Sequence, residues 1–363
     1  MSQQGPWPLE RGSWCATDDS ATSGRDPRLT GGAIGVSRRL LMHCAGRSAT
    51  LIEVDAFSND DVIAAYTALT TDGGSAVVER DIVAVTGPDA ARYLQGQLSQ
   101  DVVAMAGDNA WSFLLAPTGK VVAWLRVHRI DAEHYILETD SGWGDAVRAR
   151  LQRFLLRTKA ELSEPQACLL VQHRWNGSLV RLGTESPPGA LVAAAVGPGV
   201  AGIDELYLDT PPLHVTERRD DVVASAAIER YRIAHGIVRM GAELNDETIP
   251  GEAGAWVIDD SVSFTKGCYT GQELVARIDS RGNNVPHPIR LLAIDADVAP
   301  GDDVRLDGSV VGTITSSAPA LGGGFPALAL ARVGRSVLPG LAVEVDHDST
   351  TRSASVAELG TVL

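Results

Sequence analysis

The hydrophobic pattern of this chain changes near residue 286, and that change constrains the fold more than any other feature. Before it, strand-like and helix-like runs alternate. "AVVERDIVAVTG" (76–87) reads as a strand ending in a turn, and "GPDAARYLQGQL" (87–98) as a helix with Pro88 in its first turn. Ala91, Leu94 and Leu98 give that helix its apolar face. "WSFLLAPTGKVVAWLRVHRI" (111–130) is two strands about a Pro-Thr-Gly-Lys turn, "HYILET" (134–139) another strand, and "WGDAVRARLQRFLL" (143–156) an amphipathic helix. "VVASAAIERYRIAHG" (222–236) is a helix closed by Gly236. After residue 286 come short strands parted by Gly/Asp turns, "DDVRLDGSVVGTITSS", "ALALARV" and "LAVEVD", the pattern of a small β-barrel or sandwich. The expected class is α+β, with a body over residues 57–285 and a β-barrel over 286–363.

Residues 1–56 differ from both. They are rich in Gly, Ser, Thr, Pro and Asp and hold no sustained period, so they read as a disordered or weakly ordered extension. Within them "SRRLLMHCAG" (37–46) carries a weak helical pattern. Thirty-one basic against 46 acidic residues leave a net charge of −15, which opposes broad binding to nucleic acid or an anionic membrane. No apolar run approaches the roughly 20 residues that span a bilayer, and the N-terminus lacks a secretory layout. Cys15, Cys44, Cys168 and Cys268 form no CxxC pair, so no zinc ribbon or ferredoxin-type site is expected; reduced thiols in the cytoplasm fit. "GK" at 119–120 lacks the GxxxxGK[ST] spacing of a phosphate loop.

One stretch carries chemistry. "VSFT" (262–265) reads as a strand and "GQELVARI" (271–278) as a helix, with "TKGCYTGQE" (265–273) between. Thr270 and Glu273 have the spacing of a capping box, which would start the helix at Thr270. Cys268 then lies two residues ahead, near free N–H groups that favour a thiolate, as would the Lys266 ammonium if it reached across. Lysine is rare in this chain, found only at Lys120, Lys159 and Lys266. Gly267 and Gly271 permit close approach of another molecule. The alternative is a small buried hydrophobe beside an ordinary turn. No His, Asn or second Cys stands at local spacing, so hydrolase chemistry is unsupported.

"RIAHGIVRMGAEL" (232–244), "IPGEAG" (249–254) and "FTKGCYTGQELVAR" (264–277) resemble the YgfZ-type folate-binding proteins, relatives of the glycine-cleavage T-protein, an aminomethyltransferase. "VTGPDAARYLQGQLSQDV" (85–102) and "APTGKVVAWLRV" (116–127) look like the N-terminal part of that superfamily. The resemblance covers roughly residues 60–363. It implies a multi-domain α+β ring, its body in two subdomains, around a central channel that holds tetrahydrofolate, with a C-terminal β-barrel. It also implies service to iron–sulfur proteins or their assembly machinery, with a link to tRNA modification. The functional signature of that branch maps onto Lys266, Gly267, Cys268, Tyr269, Gly271, Gln272 and Glu273. The enzymes' folate-facing aspartate maps onto Asp101 of Ser99-Gln100-Asp101. Asp101 has an equally good structural reading as the cap of a turn. Where the enzymes carry a second folate-contacting glutamate this chain has Ala234, which counts against aminomethyl transfer, the alternative activity. Arg232 reads as a structural ion-pair partner. A lone usable thiol supplies at most one cluster ligand, so no metal is expected on this chain alone.

Overall fold

Antiparallel pairing organises almost every extended run. The structure, a computed structural model, describes residues 58–360 apart from 72, 175–188, 198–199, 209–220, 281 and 283. The expectations for residues 1–56, including the short helix at 37–46, lie outside the described residues. Residues 57–363 form one compact unit.

Strands β1 (Gly74–Thr86), β2 (Asn109–Leu115), β3 (Val121–Arg129), β4 (His134–Asp140), β5 (Glu161–Leu162), β6 (Gln166–Arg174), β7 (Val192–Gly197) and β8 (Val200–Tyr207) make one sheet. Its order is β2-β3-β4-β1-β6-β8-β7, with β5 beside β1. The β2–β3 hairpin turns at Pro117–Lys120, as its sequence predicts. Because side chains alternate along a strand, β1 faces two ways. Val83 and Val85 pack with Tyr93, Leu94, Val147 and Leu151 beneath helices α2 (Ala90–Gln97) and α3 (Gly144–Gln152). Ala76 faces the other way, against Tyr66 and Leu69 of α1 (Asn59–Thr70) and Ala227 and Tyr231 of α4 (Asp221–Ala234).

Two boundaries differ from expectation and one agrees. Pro88 lies in the turn before the N-cap Asp89, and the buried face of α2 is Ala90, Tyr93 and Leu94, with Ala91 only half-buried. Helix α3 stops at Gln152 rather than running to residue 156, because the chain breaks into turns that tuck Leu155 back into the core. Gly236 does close α4: at φ 63° it lets the Gly236 and Ile237 N–H groups reach the Ile233 and Arg232 carbonyls.

The C-terminal strands β9 (Ile289–Ile294), β10 (Asp303–Leu306), β11 (Ser309–Ala318), β12 (Ala327–Val333), β13 (Ala342–His347) and β14 (Thr350–Ala357) close into a barrel. Leu292, Ile294, Ile314, Val345 and Val356 fill it. Its outer wall is not solvated throughout. Ile289, Leu291, Leu328 and Leu330 join Trp124, Val257 and Tyr269 of the body in a shared core. That is why β9 and β12 read as near-continuous apolar runs: both of their faces are buried. Arg232 bolts α4 to this wall through Ser316 (2.7 Å) and through Glu243, which accepts from Thr315 and Ser316. It is thus the structural ion-pair partner its sequence context suggests. Ala234 is fully buried in the shared core.

Candidate functional site

The site is built on the C-terminal end of α2. A helix leaves its last carbonyls without intrahelical partners and gathers negative partial charge there. Lys266 answers both. Its Nζ donates to the carbonyls of Gln95 (2.8 Å), Leu98 (2.7 Å) and Gln100 (2.7 Å). Thr270 adds its backbone N–H to the Gly96 carbonyl. Residues 266 and 270 therefore clip the motif onto α2, and Cys268, between them, is exposed at the tip.

The clip overturns one expectation. An ammonium has three protons, and all three are taken by carbonyls, so Lys266 is not directed at the sulfur. Burial among these groups lowers the Lys266 pKa to about 8, partly offset by the negative charge of Asp101. The ammonium also lies 5.2 Å from the centre of the Tyr269 ring, and burial pushes that phenol up to about 12.

Residues 262–265 are not a strand. Val262 is extended and the chain then bends at residues 264–265 beside the loop after α2, and helix α5 (Ala255–Ser261), just before them, is stitched to the same loop. Ser263 N–H meets the Ser99 carbonyl (3.0 Å), Ser99 Oγ meets the Ser261 carbonyl (2.6 Å), and Gln100 Nε2 meets the Asp260 carbonyl (2.7 Å). These bonds replace a strand partner.

The capping box is also absent. Helix α6 (Gln272–Asp279) has Gly271 as its N-cap at φ 85°, with no side-chain cap. Instead the Gln272 side chain reaches back and accepts from the Tyr269 N–H at 3.0 Å. Glu273 is exposed in the first turn, where a carboxylate suits the dipole. The glycine at 271 is compulsory for a second reason. A Cβ there would lie 2.7 Å from the Ala116 carbonyl oxygen and 2.8 Å from Leu115 Cβ. The β2–β3 turn returns the contact, since a Cβ on Gly119 would sit 2.4 Å from Leu274 Cβ. Gly267 is different: nothing stands within 4 Å of its Cβ position.

Asp101 sits beside this clip and works as a turn cap. Its Oδ1 accepts from Ala104 N–H (2.9 Å) and Gln95 Nε2 (3.0 Å), and the backbone bond holds the carboxyl below its ordinary range. The structure therefore brings Lys266, Asp101 and the rest of the 266–273 turn into one neighbourhood. Among the described residues no group of three His, Cys, Asp or Glu is arranged to hold a metal. An open hollow of about 460 Å³, lined by Arg129 and Tyr135 among others, touches the Asp101 turn at Val103, but no residue of the motif lines it.

Sequence reasoning missed a second cluster on the sheet face opposite α2 and α3. Trp111, Arg126 and Glu138 are cross-strand neighbours on β2, β3 and β4. Trp111 stacks on Trp124 at 4.2 Å between centroids, and the Arg126 guanidinium lies 4.4 Å from the Trp111 ring centre. Arg126 Nη2 and Arg174 Nη1 both bind Asp204, each at 2.7 Å. Arg80 pairs with Glu138 and Asp140, and His128 pairs with Glu138. Arg126 is 1% exposed, yet among the described residues its Nε and Nη1 find no hydrogen-bond partner. The signal was present in "WLRVH": Trp124, Arg126 and His128 alternate with the apolar Leu125 and Val127. Trp124 Nε1 donates to Ser261 Oγ at 2.9 Å, which ties this wall to the same strap as the motif.

No family model matches the sequence. Among curated proteins it is similar to the tRNA-modifying protein YgfZ of Vibrio vulnificus, 29% identical over 243 residues, covering 63% of this chain and 72% of that protein. It is also similar to the mitochondrial iron–sulfur cluster assembly factor IBA57 homolog of Pyricularia oryzae, 26% identical over 223 residues, covering 58% of this chain and 55% of that one. The chain thus spans about half the length of the fungal relative. Among solved structures, the glycine cleavage system aminomethyltransferase T from Bartonella henselae superposes with a TM-score of 0.66 at 15% identity, over 83% of this chain and 89% of that one. That likeness shows the fold. By its sequence relatives the chain is similar to the YgfZ and IBA57 proteins, and it shares the aminomethyltransferase fold.

Proposed function

We propose that this chain binds a reduced folate and serves iron–sulfur proteins in assembly or repair, with the Cys268 thiol as the reacting group. The observation that carries the reading is the exposed sulfur at the tip of a turn whose neighbours, Lys266 and Gly271, are locked into the body. Such a frame lets the sulfur meet another molecule without unfolding anything. The names of the relatives, a tRNA-modifying protein and an iron–sulfur assembly factor, support the process, including its link to tRNA modification.

Folate is supported by the fold neighbour and by the wall at Trp111 and Trp124. A flat heteroaromatic with acceptor atoms and a carboxylate tail matches stacked indoles beside an arginine with two nitrogens that find no partner among the described residues. Arg126 is the better candidate contact, since Oδ1 of Asp101 is already occupied in closing its own turn. Bound folate would supply a carrier for one-carbon units; the chain's own residues orient it and present the thiol. Against the alternative, aminomethyl transfer, stands Ala234, buried in the core where the enzymes' second acid would be. The reading places the protein in the cytoplasm, where thiols stay reduced.

The test has two arms. Purified protein should bind tetrahydrofolate by calorimetry, Arg126→Met should weaken it by about tenfold or more, and Asp101→Ala should change it less. Cys268→Ser should fold and bind folate yet fail to restore iron–sulfur enzyme activity in a deficient cell. Full complementation by that variant removes the thiol from the mechanism, and robust turnover of an aminomethyl donor would replace the reading with the transferase one.

A further inference from the structure

The turn after α3 exposes what a soluble surface ordinarily hides. Leu156 is 84% exposed and Phe154 42%. Arg153, Arg157 and Lys159 around them are exposed too, and among the described residues none of the three makes an ion pair. Arg148, Arg150, Arg153, Arg157 and Lys159 all fall within residues 148–159, which contain no acid, in a chain of net charge −15. Positive charge and bare apolar surface are thus concentrated together.

The exposure is built rather than loose. Phe154 and Thr158 donate to the Leu151 and Leu155 carbonyls, the Lys159 N–H is held by Asp89 at 2.9 Å, and Leu155 is anchored in the core. Arg157 takes φ 61°, a left-handed conformation that costs about 1 kcal/mol or more for a residue with a Cβ. An ordered frame that holds a leucine in water marks an interaction surface.

The same surface continues to the motif. Arg150 lies 4.3 Å from the Phe154 ring centre and donates to the Leu115 carbonyl (2.8 Å) and to Gln97 Oε1 (3.2 Å). Leu115 is the residue against which Gly271 packs, and Gly96, next to Gln97, receives the Thr270 N–H. Lys120, on the hairpin turn that touches Gly271, is exposed and extends the positive surface.

We propose that residues 153–159 are the docking surface for the protein that Cys268 serves, and that this partner presents an acidic segment carrying an apolar side chain. The proposal rests on the role given to Cys268 above. Charge complementarity selects an acidic partner. A protein segment is favoured over RNA because Leu156 has no face for a base to stack on and one face of Phe154 is taken by Arg150.

Fluorescence anisotropy tests it with the full chain and three probes. These are a labelled glutamate-rich amphipathic helical peptide with leucines at i, i+4, the same peptide with Lys for Glu, and a single-stranded RNA. Anionic phospholipid vesicles serve in a sedimentation arm. The acidic peptide should bind, weaken several-fold between about 50 and 200 mM salt, and lose roughly tenfold or more in Leu156→Glu and in Arg153→Glu/Arg157→Glu. Cys268→Ser should bind it like wild type. The proposal is overturned if the basic peptide binds equally well, if the surface variants bind like wild type, or if RNA or vesicles outcompete the peptide. The two readings fail separately. Complementation by Cys268→Ser with peptide binding intact sinks the thiol and leaves the surface; an essential Cys268 with no peptide binding sinks the surface alone.

Discussion

Two regions of this molecule bury positive charge, and they do so by opposite means. Lys266 is desolvated among backbone carbonyls that carry only partial charge. Arg80, Arg126 and Arg174 are desolvated among full carboxylates, those of Glu138, Asp140 and Asp204. Partial charges repay less of the desolvation of an ammonium than carboxylates repay of a guanidinium. Lys266 accordingly titrates near 8, whereas Glu138 and Asp204 are held well below ordinary carboxyl values by the arginines, despite burial. The carboxylates of Glu138 and Asp204 therefore keep their charge at any pH the cell meets. The clip that supports Cys268 is within reach of losing its charge.

The largest effect should come from breaking the sheet network. Asp204→Ala strips the carboxylate from two buried arginines and should cost about 3–5 kcal/mol in urea denaturation; a loss under about 1 kcal/mol would mean the arginines find other partners. Next comes the backbone contact under the motif. Gly271→Ala combines a left-handed φ with a clash against the hairpin turn and should cost about 2–3 kcal/mol, while Gly267→Ala should stay within about 0.5 kcal/mol. Equal costs at the two glycines would refute the packing account.

Lys266→Met leaves the three carbonyls at the end of α2 without their donor. It should cost about 1–3 kcal/mol and raise amide hydrogen exchange around residues 95–104. Unchanged exchange there would show that water takes over the lysine's role.

The smallest and most diagnostic effect is the pH dependence. Between about 8 and 10.5 the unfolded chain keeps the proton that folded Lys266 has lost, so wild type should gain stability relative to Lys266→Met as pH rises through that window. The sheet responds at the other end. His128 is lowered from 6.5 by burial, and Glu138 and Asp204 are also lowered, so the unfolded chain takes up protons first as pH falls. Stability should fall below about 6.5, by an amount that His128→Gln reduces in its upper part. A flat difference in either window would dissolve the contrast between the two regions.

Much of the frame was legible before any coordinates. Period-2 runs at 76–87, 111–130 and 134–139 became strands, Gly236 closed its helix, and the change of texture near 286 became a closed barrel. What failed were local inferences about polar partners. Thr270 and Glu273 have capping spacing, but the start of α6 was decided by Gly271 pressed against Leu115 and Ala116, more than 150 residues away in sequence. Residues 262–265 look like a strand, but the partner of the Ser263 N–H is the Ser99 carbonyl of the loop after α2. Lys266 lies two residues from Cys268, yet its donors go to carbonyls some 170 residues distant, and each such bond is chosen by packing rather than by neighbourhood in the chain.

The sequence by itself determined the elements, the α+β class and the turn that carries the sulfur, because periodicity and glycine chemistry act over a few residues. Only the tertiary structure decided which carbonyls receive the lysine, which arginines share a carboxylate and which leucine is left in water. Those choices depend on what the folded surroundings desolvate, and desolvation is a property of the whole packed molecule.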